Sequence, residues 1–368
     1  SDFKMGPCAP SKNRAWASRL IPINLPVAGS GFATAHIANV TTRLRCKDTS
    51  TPTGPENSHA GRPDYDMNPN ELCAKLEGVI GFPVTPFHDD HSLDLDGHRK
   101  NVRYMLEQPM CALVAAGGTG ELYSLTPEEV REVVEATLEE AAGRLPVIAG
   151  IGFAGGLAKR LASQAADCGV AGVLAFPPYY PNAEMDGLVD YYSSIAESSG
   201  LGVLIYSRDW ANFTPAQAGR LAEIPGVVAW KDGTADIRRY QMIRERLGAK
   251  LHWIGGAGDD MVPGYYGIGI RAYTSSISAV APKLSVKLHE LGAAGDSVAL
   301  NQLVNDHVVP LYALRTKRKG YEVSAMKAIL ELLGLSGGPV RPPLVDVNEA
   351  ERDELKAILD GWQRAGFL

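Results

Sequence analysis

Lys231 follows Val227-Val228-Ala229-Trp230 and ends a mostly apolar run of strand type. An ammonium inside such a run is costly unless it is paired or neutralised. Desolvation favours the neutral amine, which can attack a ketone and form a Schiff base. The competing reading is a lysine just past the strand, with its head in solvent or paired with Asp232. Position alone does not separate the two. Tyr206 ends the preceding run, where a phenol could shuttle protons to and from the attacking amine. An ordinary core tyrosine with a bonded hydroxyl fits the same place. Two residues on, Arg208 could grip a carboxylate through paired N–H donors, although an arginine in a loop is more often a surface residue. The loop Gly117-Gly118-Thr119-Gly120-Glu121 follows another apolar run. Free N–H groups of Gly118, Thr119 and Gly120 could cradle an anion, with Thr119 Oγ as a further donor; a merely flexible turn is the plainer alternative. The loop does not lead into a GK[ST] sequence, so it suggests a carboxylate rather than a triphosphate.

These residues need a scaffold that brings strand ends together. From Gly78 onward short apolar runs alternate with stretches of helical period. The expected strands are 78–84, 111–116, 146–150, 172–175, 202–206, 227–231, 251–254 and 271–275. Helices are expected over 95–108, 127–142, 157–168, 186–199 and 215–222, among others. Thr126-Pro127-Glu128-Glu129 and Thr214-Pro215 mark two helix starts, each an N-cap followed by proline, and Thr126 with Glu129 has capping-box spacing. Eight strand–helix units in about 215 residues is the size of a (β/α)₈ TIM barrel, whose active site lies at the C-terminal strand ends. A doubly wound open sheet is the main competitor, but no GxGxxG follows the first strand. The expected organisation is an α/β barrel over 71–295 and a C-terminal helical appendage over 296–368. The appendage would hold helices near 297–316, 323–333 and 348–362.

Residues 1–70 read differently. Between Ser1 and Lys47 stand seven basic residues and one acid, Asp2, in a stretch without sustained periodicity. That composition fits an organellar targeting segment, or a poorly structured extension without function. Charged residues are 21% of the 368, and the net charge of -6 argues against a nucleic-acid surface. No run of about 18 apolar residues suggests a membrane span. The five cysteines are scattered and form no CxxC pair, as expected of free thiols in the cytoplasm. The histidines show no metal-ligand spacing, so no metal site is expected.

Taken together, the strand ends resemble the dihydrodipicolinate synthase/N-acetylneuraminate lyase superfamily. The matches are Gly117-Gly118-Thr119-Gly120-Glu121 after strand two, Tyr206 at strand five and Lys231 at strand six. Within it the chain is most similar to the 5-dehydro-4-deoxyglucarate dehydratase branch. Tyr206-Ser207-Arg208-Asp209, Lys231-Asp232-Gly233, Gly320-Tyr321-Glu322-Val323-Ser324 and Gly338-Pro339-Val340-Arg341-Pro342-Pro343-Leu344 carry that likeness. Ser207, where the branch has asparagine, and Tyr123, where it tends to phenylalanine, depart from it. The likeness covers the chain from Gly78 onward and leaves the N-terminal segment aside.

The resemblance implies a keto-deoxy sugar diacid as substrate and a class I lyase mechanism without metal or organic cofactor. Lys231 would condense with the ketone at C5, and loss of a C4 proton would give an enamine that expels the C3 hydroxyl. Electrons of the C1–C2 bond would then flow into the conjugated iminium, releasing carbon dioxide and, after hydrolysis, 2,5-dioxopentanoate. Tyr206 would be the proton shuttle, and Gly118, Thr119 and Gly120 would hold the carboxylate beside the ketone. Arg208 and Ser276 would orient the hydroxyl-bearing end. The resemblance also implies a homotetramer, a dimer of dimers, with Tyr180 of a neighbouring copy completing the proton relay. A 2-keto-3-deoxy sugar-acid aldolase, a dihydrodipicolinate synthase and a non-catalytic binding barrel remain as alternatives.

Overall fold

The computed structural model describes residues 67–368, so the expectation for the N-terminal segment lies, up to residue 66, outside the described residues. Eight parallel strands close into one barrel in sequence order. They are β1 (Gly78–Gly81), β2 (Ala112–Ala115), β3 (Val147–Phe153), β4 (Gly172–Pro178), β5 (Gly202–Ser207), β6 (Val227–Asp232), β7 (His252–Gly255) and β8 (Ala272–Ser275). Closure runs through β1 and β8, with Gly78 opposite Ala272 and Gly81 opposite Ser275. The expected barrel is therefore present, and the open-sheet alternative falls.

Helix α1 (Pro69–Lys75) precedes β1, and α2 (Leu95–Met105) and α3 (Pro127–Ala141) follow β1 and β2. Next come α4 (Gly155–Cys168), α5 (Met185–Ser199), α6 (Pro215–Leu221), α7 (Ile237–Leu247), α8 (Val262–Gly267) and α9 (Pro282–Ala294). Capping chemistry fixes several starts. Thr126 and Glu129 bond reciprocally at α3, as their spacing suggested, and Thr214 with Gln217 does the same at α6. Helix α1 begins inside the segment set apart by composition. Asn68 caps it, and Leu72 and Leu76 are fully buried. Leu72 packs beside Gly172 and Gly202, the first residues of β4 and β5, at the end of the barrel away from the chemistry.

Three helical stretches follow, as expected. The first is broken: α10 (Ser297–Leu303) passes through a π-helical turn at Val304–Val308 into α11 (Val309–Arg315). Then come α12 (Tyr321–Leu332) and α13 (Glu349–Arg364). Strand ends account for most boundary differences. The residues Phe82–Val84 stay buried but leave the ladder, because Pro83 has no N–H to donate. Strands β3 and β4 run past their expected ends, with a register shift between Ile151 and Phe153. No helix among the described residues is long and apolar enough to cross a membrane.

Candidate active site

A cavity of about 300 Å³ opens at the C-terminal strand ends. Strand pairing sets Tyr206 directly opposite Lys231 on β5 and β6. Because side chains alternate across a strand, Asp232 must face away from Lys231, and it does. Its carboxylate accepts from Thr234 Oγ1 at 2.8 Å and Tyr265 Oη at 3.2 Å, and lies 3.4 Å from Arg239. The pairing of Lys231 with Asp232 is thereby excluded, and so is the solvent-exposed lysine: Lys231 is 3% exposed.

Among the described residues no carboxylate lies within salt-bridge distance of Lys231. Its Nζ donates to Gly256 O at 3.2 Å and sits 3.1 Å from the centroid of the Tyr206 ring. Burial, reinforced by the positive charge of Arg208, holds the amine well below its ordinary pKa, against a weaker opposing pull from Asp232. Both causes push toward the neutral form, which is the nucleophilic one. Tyr206 Oη donates to the same Gly256 carbonyl at 3.4 Å, so amine and phenol converge on one acceptor. Burial raises the phenol's pKa while Arg208 lowers it, which keeps the hydroxyl protonated and able to donate. Glycines make this packing possible. A Cβ at Gly256 would lie 2.4 Å from Lys231 Cγ, and one at Gly233 would lie 2.5 Å from the Tyr206 ring.

The glycine loop after β2 brings Gly118 and Thr119 to the cavity wall, whereas Gly120 lies behind them. The N–H groups of Gly118 and Thr119 bond to no acceptor among the described residues, so they can receive an anion. Gly120 instead anchors the loop, its carbonyl accepting from Thr85 Oγ1 at 2.7 Å. Behind it Glu121 forms a buried ion pair with Lys327 of α12 at 2.6 Å and accepts from Arg341 N–H at 3.1 Å.

Arg208 and Ser276 also line the cavity. Arg208 is paired to Asp209 at 2.7 Å and lies over the rings of Tyr206 and Phe176. Its Nη1 stands beside Gly118, 3.5 Å from where a Cβ there would be. Tyr180 is not brought to the cavity of its own chain; it is 62% exposed in the loop after β4.

Sequence reasoning missed the contribution of the appendage. Tyr312 and Arg315 of α11 and Glu322 of α12 all line the cavity. Arg315 Nη1 donates to Ser276 Oγ at 2.9 Å. The spacing of Tyr312 and Arg315, one helical turn apart, was the available signal, but Lys317, Arg318 and Lys319 beside them made the segment read as solvated surface.

Comparison with known proteins identifies the family. The chain is 37% identical over 297 residues to a protein of Bradyrhizobium sp. (strain BTAi1) named "Probable 5-dehydro-4-deoxyglucarate dehydratase", covering 80% of this chain and 95% of that one. A protein of the same name from Rhodococcus opacus (strain B4) is 38% identical over 296 residues, covering 79% and 97%. Among solved structures, dihydrodipicolinate synthase from Oceanobacillus iheyensis superposes with a TM-score of 0.76 at 29% identity, over 81% of this chain and all of that one. The family model described as "Dihydrodipicolinate synthetase family" matches residues 75–361, and the chain belongs to that family.

Proposed function

We propose that the protein is a decarboxylating hydro-lyase that converts 5-dehydro-4-deoxyglucarate to 2,5-dioxopentanoate through a Schiff base on Lys231. The observation that carries the chemistry is the buried, unpaired amine of Lys231 against Tyr206. The names of the relatives above support the substrate.

Lys231 Nζ attacks the C5 carbonyl, and Tyr206 donates the proton that lets water leave from the carbinolamine. The carboxylate at C6 lies on the N–H groups of Gly118 and Thr119, with Arg208 beside them; Gly120 holds the loop in place. Loss of a C4 proton to the Tyr206 relay gives an enamine, which expels the C3 hydroxyl as water. The C3=C4 double bond then conjugates with the iminium, the C1–C2 bond breaks, and its electrons pass through C2=C3 and C4=C5 to nitrogen. Protonation at carbon and hydrolysis release the product and the lysine. One covalent electron sink serves both bond cleavages. The exposed Tyr179 and Tyr180 support a homo-oligomer, a dimer of dimers, in which Tyr180 of a neighbouring copy completes the relay. The free thiols of Cys73 and Cys111 among the described residues accord with work in the cytoplasm.

The test is borohydride trapping with the diacid, peptide mass mapping and measurement of released carbon dioxide. The adduct should sit on Lys231, one carbon dioxide should leave per turnover, and Lys231→Ala should abolish both. An adduct on another lysine would overturn the nucleophile. Pyruvate among the products, without carbon dioxide, would favour the aldolase reading.

A further inference from the structure

The cavity contains two guanidinium groups, and they occupy different environments. Arg208 is engaged: Asp209 neutralises it at 2.7 Å, two aromatic rings support it, and its Nη1 stands against Gly118. Its contacts favour the glycine loop and the carboxylate next to the ketone, rather than the hydroxyl-bearing end that the resemblance implied for it. Arg315 approaches from the appendage. No carboxylate among the described residues lies within salt-bridge distance of it, and its polar contact is a neutral hydroxyl, Ser276 Oγ at 2.9 Å. The Tyr312 ring carries it on one side, 4.5 Å from ring centroid to guanidinium carbon.

Asp259 and Asp260 both feel the charge of Arg315. Asp259 is fully buried and already accepts from Ser275 Oγ, from Tyr312 Oη at 3.3 Å and from Ile277 N–H at 3.4 Å. Its charge is committed to the protein. Arg315 thus reaches the cavity wall as a cation with donors to spare, since a guanidinium has five N–H groups.

Its position is fixed relative to the nucleophile. The turn after β7 supplies Gly256, which receives Lys231, and Gly258, beside which the Tyr312 hydroxyl packs. Tyr312 also donates toward Asp259 and accepts its N–H at 2.7 Å. One short segment therefore ties the amine to the helix that carries Arg315. Around the ring, Gly118 and Thr119 follow β2 and Ser276 follows β8, so the two groups stand on different strand ends with β1 between them, and Lys231 lies on a third strand, β6.

We infer that Arg315, with Ser276, is a second carboxylate subsite that selects 2-oxo diacids over 2-oxo monoacids. The inference rests on the Schiff-base reading of Lys231 and assigns the far carboxylate of the diacid to a residue of α11. A charge-assisted pair of this kind is worth about 10- to 150-fold in affinity.

The experiment uses binding rather than turnover, so that it does not depend on the dehydratase reaction. In the full chain, 2-oxoadipate and 2-oxohexanoate compete with pyruvate for borohydride-dependent labelling of Lys231. The two competitors share a six-carbon chain and differ by the far carboxylate. In the unaltered protein 2-oxoadipate should compete at a concentration about 10- to 150-fold lower than 2-oxohexanoate. Arg315→Met should collapse that ratio toward one, and Arg315→Lys should restore part of it, because an ammonium keeps the charge but loses the planar fork. A purely structural role would weaken both competitors alike and leave the ratio standing, which would overturn the inference. So would a ratio near one in the unaltered protein. If the ratio behaves as expected while 5-dehydro-4-deoxyglucarate yields no carbon dioxide, the subsite stands and the dehydratase reading fails.

Discussion

Replacing Lys327 with methionine should cost far more stability than a substitution of similar shape ordinarily does. Lys327 and Glu121 are 1% and 0% exposed in their side chains and 2.6 Å apart. Lys327 Nζ also donates to Pro339 O at 2.8 Å and lies 4.1 Å from the centroid of the Phe87 ring. Methionine would fill nearly the same volume, so little of the loss would come from packing. It would leave the Glu121 carboxylate buried, with the Arg341 N–H at 3.1 Å as its remaining close donor. Breaking a buried pair from one side costs about 3–5 kcal/mol, because one charge is left uncompensated. The double variant Glu121→Gln/Lys327→Met removes both charges, and its loss should fall short of the sum of the single losses by about 1–3 kcal/mol. Urea unfolding followed by circular dichroism, at one protein concentration so that any assembly is held constant, measures all three. A loss below about 1 kcal/mol for Lys327→Met would refute the argument, since it would mean that water reaches the pair or that its members are neutral.

Two further outcomes concern the nucleophile. Tyr206→Phe keeps the ring under Lys231 and removes the hydroxyl, so borohydride trapping of pyruvate should slow by about 10²- to 10⁴-fold with the fold intact; trapping at the original rate would show that another group carries the proton. The rate of trapping should rise with pH to a plateau reached well below the ordinary lysine pKa of about 10.4, because burial and Arg208 favour the neutral amine. Arg208→Met removes a repelling positive charge and should move that rise to higher pH. A rise centred near 10 in the original protein would contradict the geometry.

The barrel was legible because its signals are local. Apolar runs such as Val227–Trp230 and caps such as Thr126 with Glu129 need no distant partner to be read. Lys231 and Tyr206 were legible for the same reason: each ends an apolar run, and a barrel gathers strand ends. Choosing between a buried and a paired Lys231 was beyond the sequence, because that depends on which way Asp232 faces and on Thr234, Arg239 and Tyr265 holding it there. Arg315 was hidden for a different reason. Its place at the cavity depends on α11 packing over the strand ends, a contact between segments far apart in sequence.

The stretch Gly338–Leu344 shows how a family signature becomes physics once distances are known. It carries no reacting group. Arg341 donates to Glu129 at the start of α3 at 2.6 and 2.8 Å and to the carbonyls of Ser124 and His91, and its own N–H reaches Glu121. With Lys327 it holds the C-terminal end of the glycine loop at Glu121, roughly 200 residues away along the chain. Catalysis through pre-placed N–H donors requires a loop whose supporting shell is rigid, and a run of glycines cannot supply that rigidity itself. The appendage therefore acts on the same site twice. From behind, α12 and Arg341 fix the loop that would receive the carboxylate beside the ketone. From above, α11 brings Arg315 to the far end of the cavity. On the proposed reading, the covalent chemistry resides in strand ends, and the far carboxylate is met by a helix that follows the barrel.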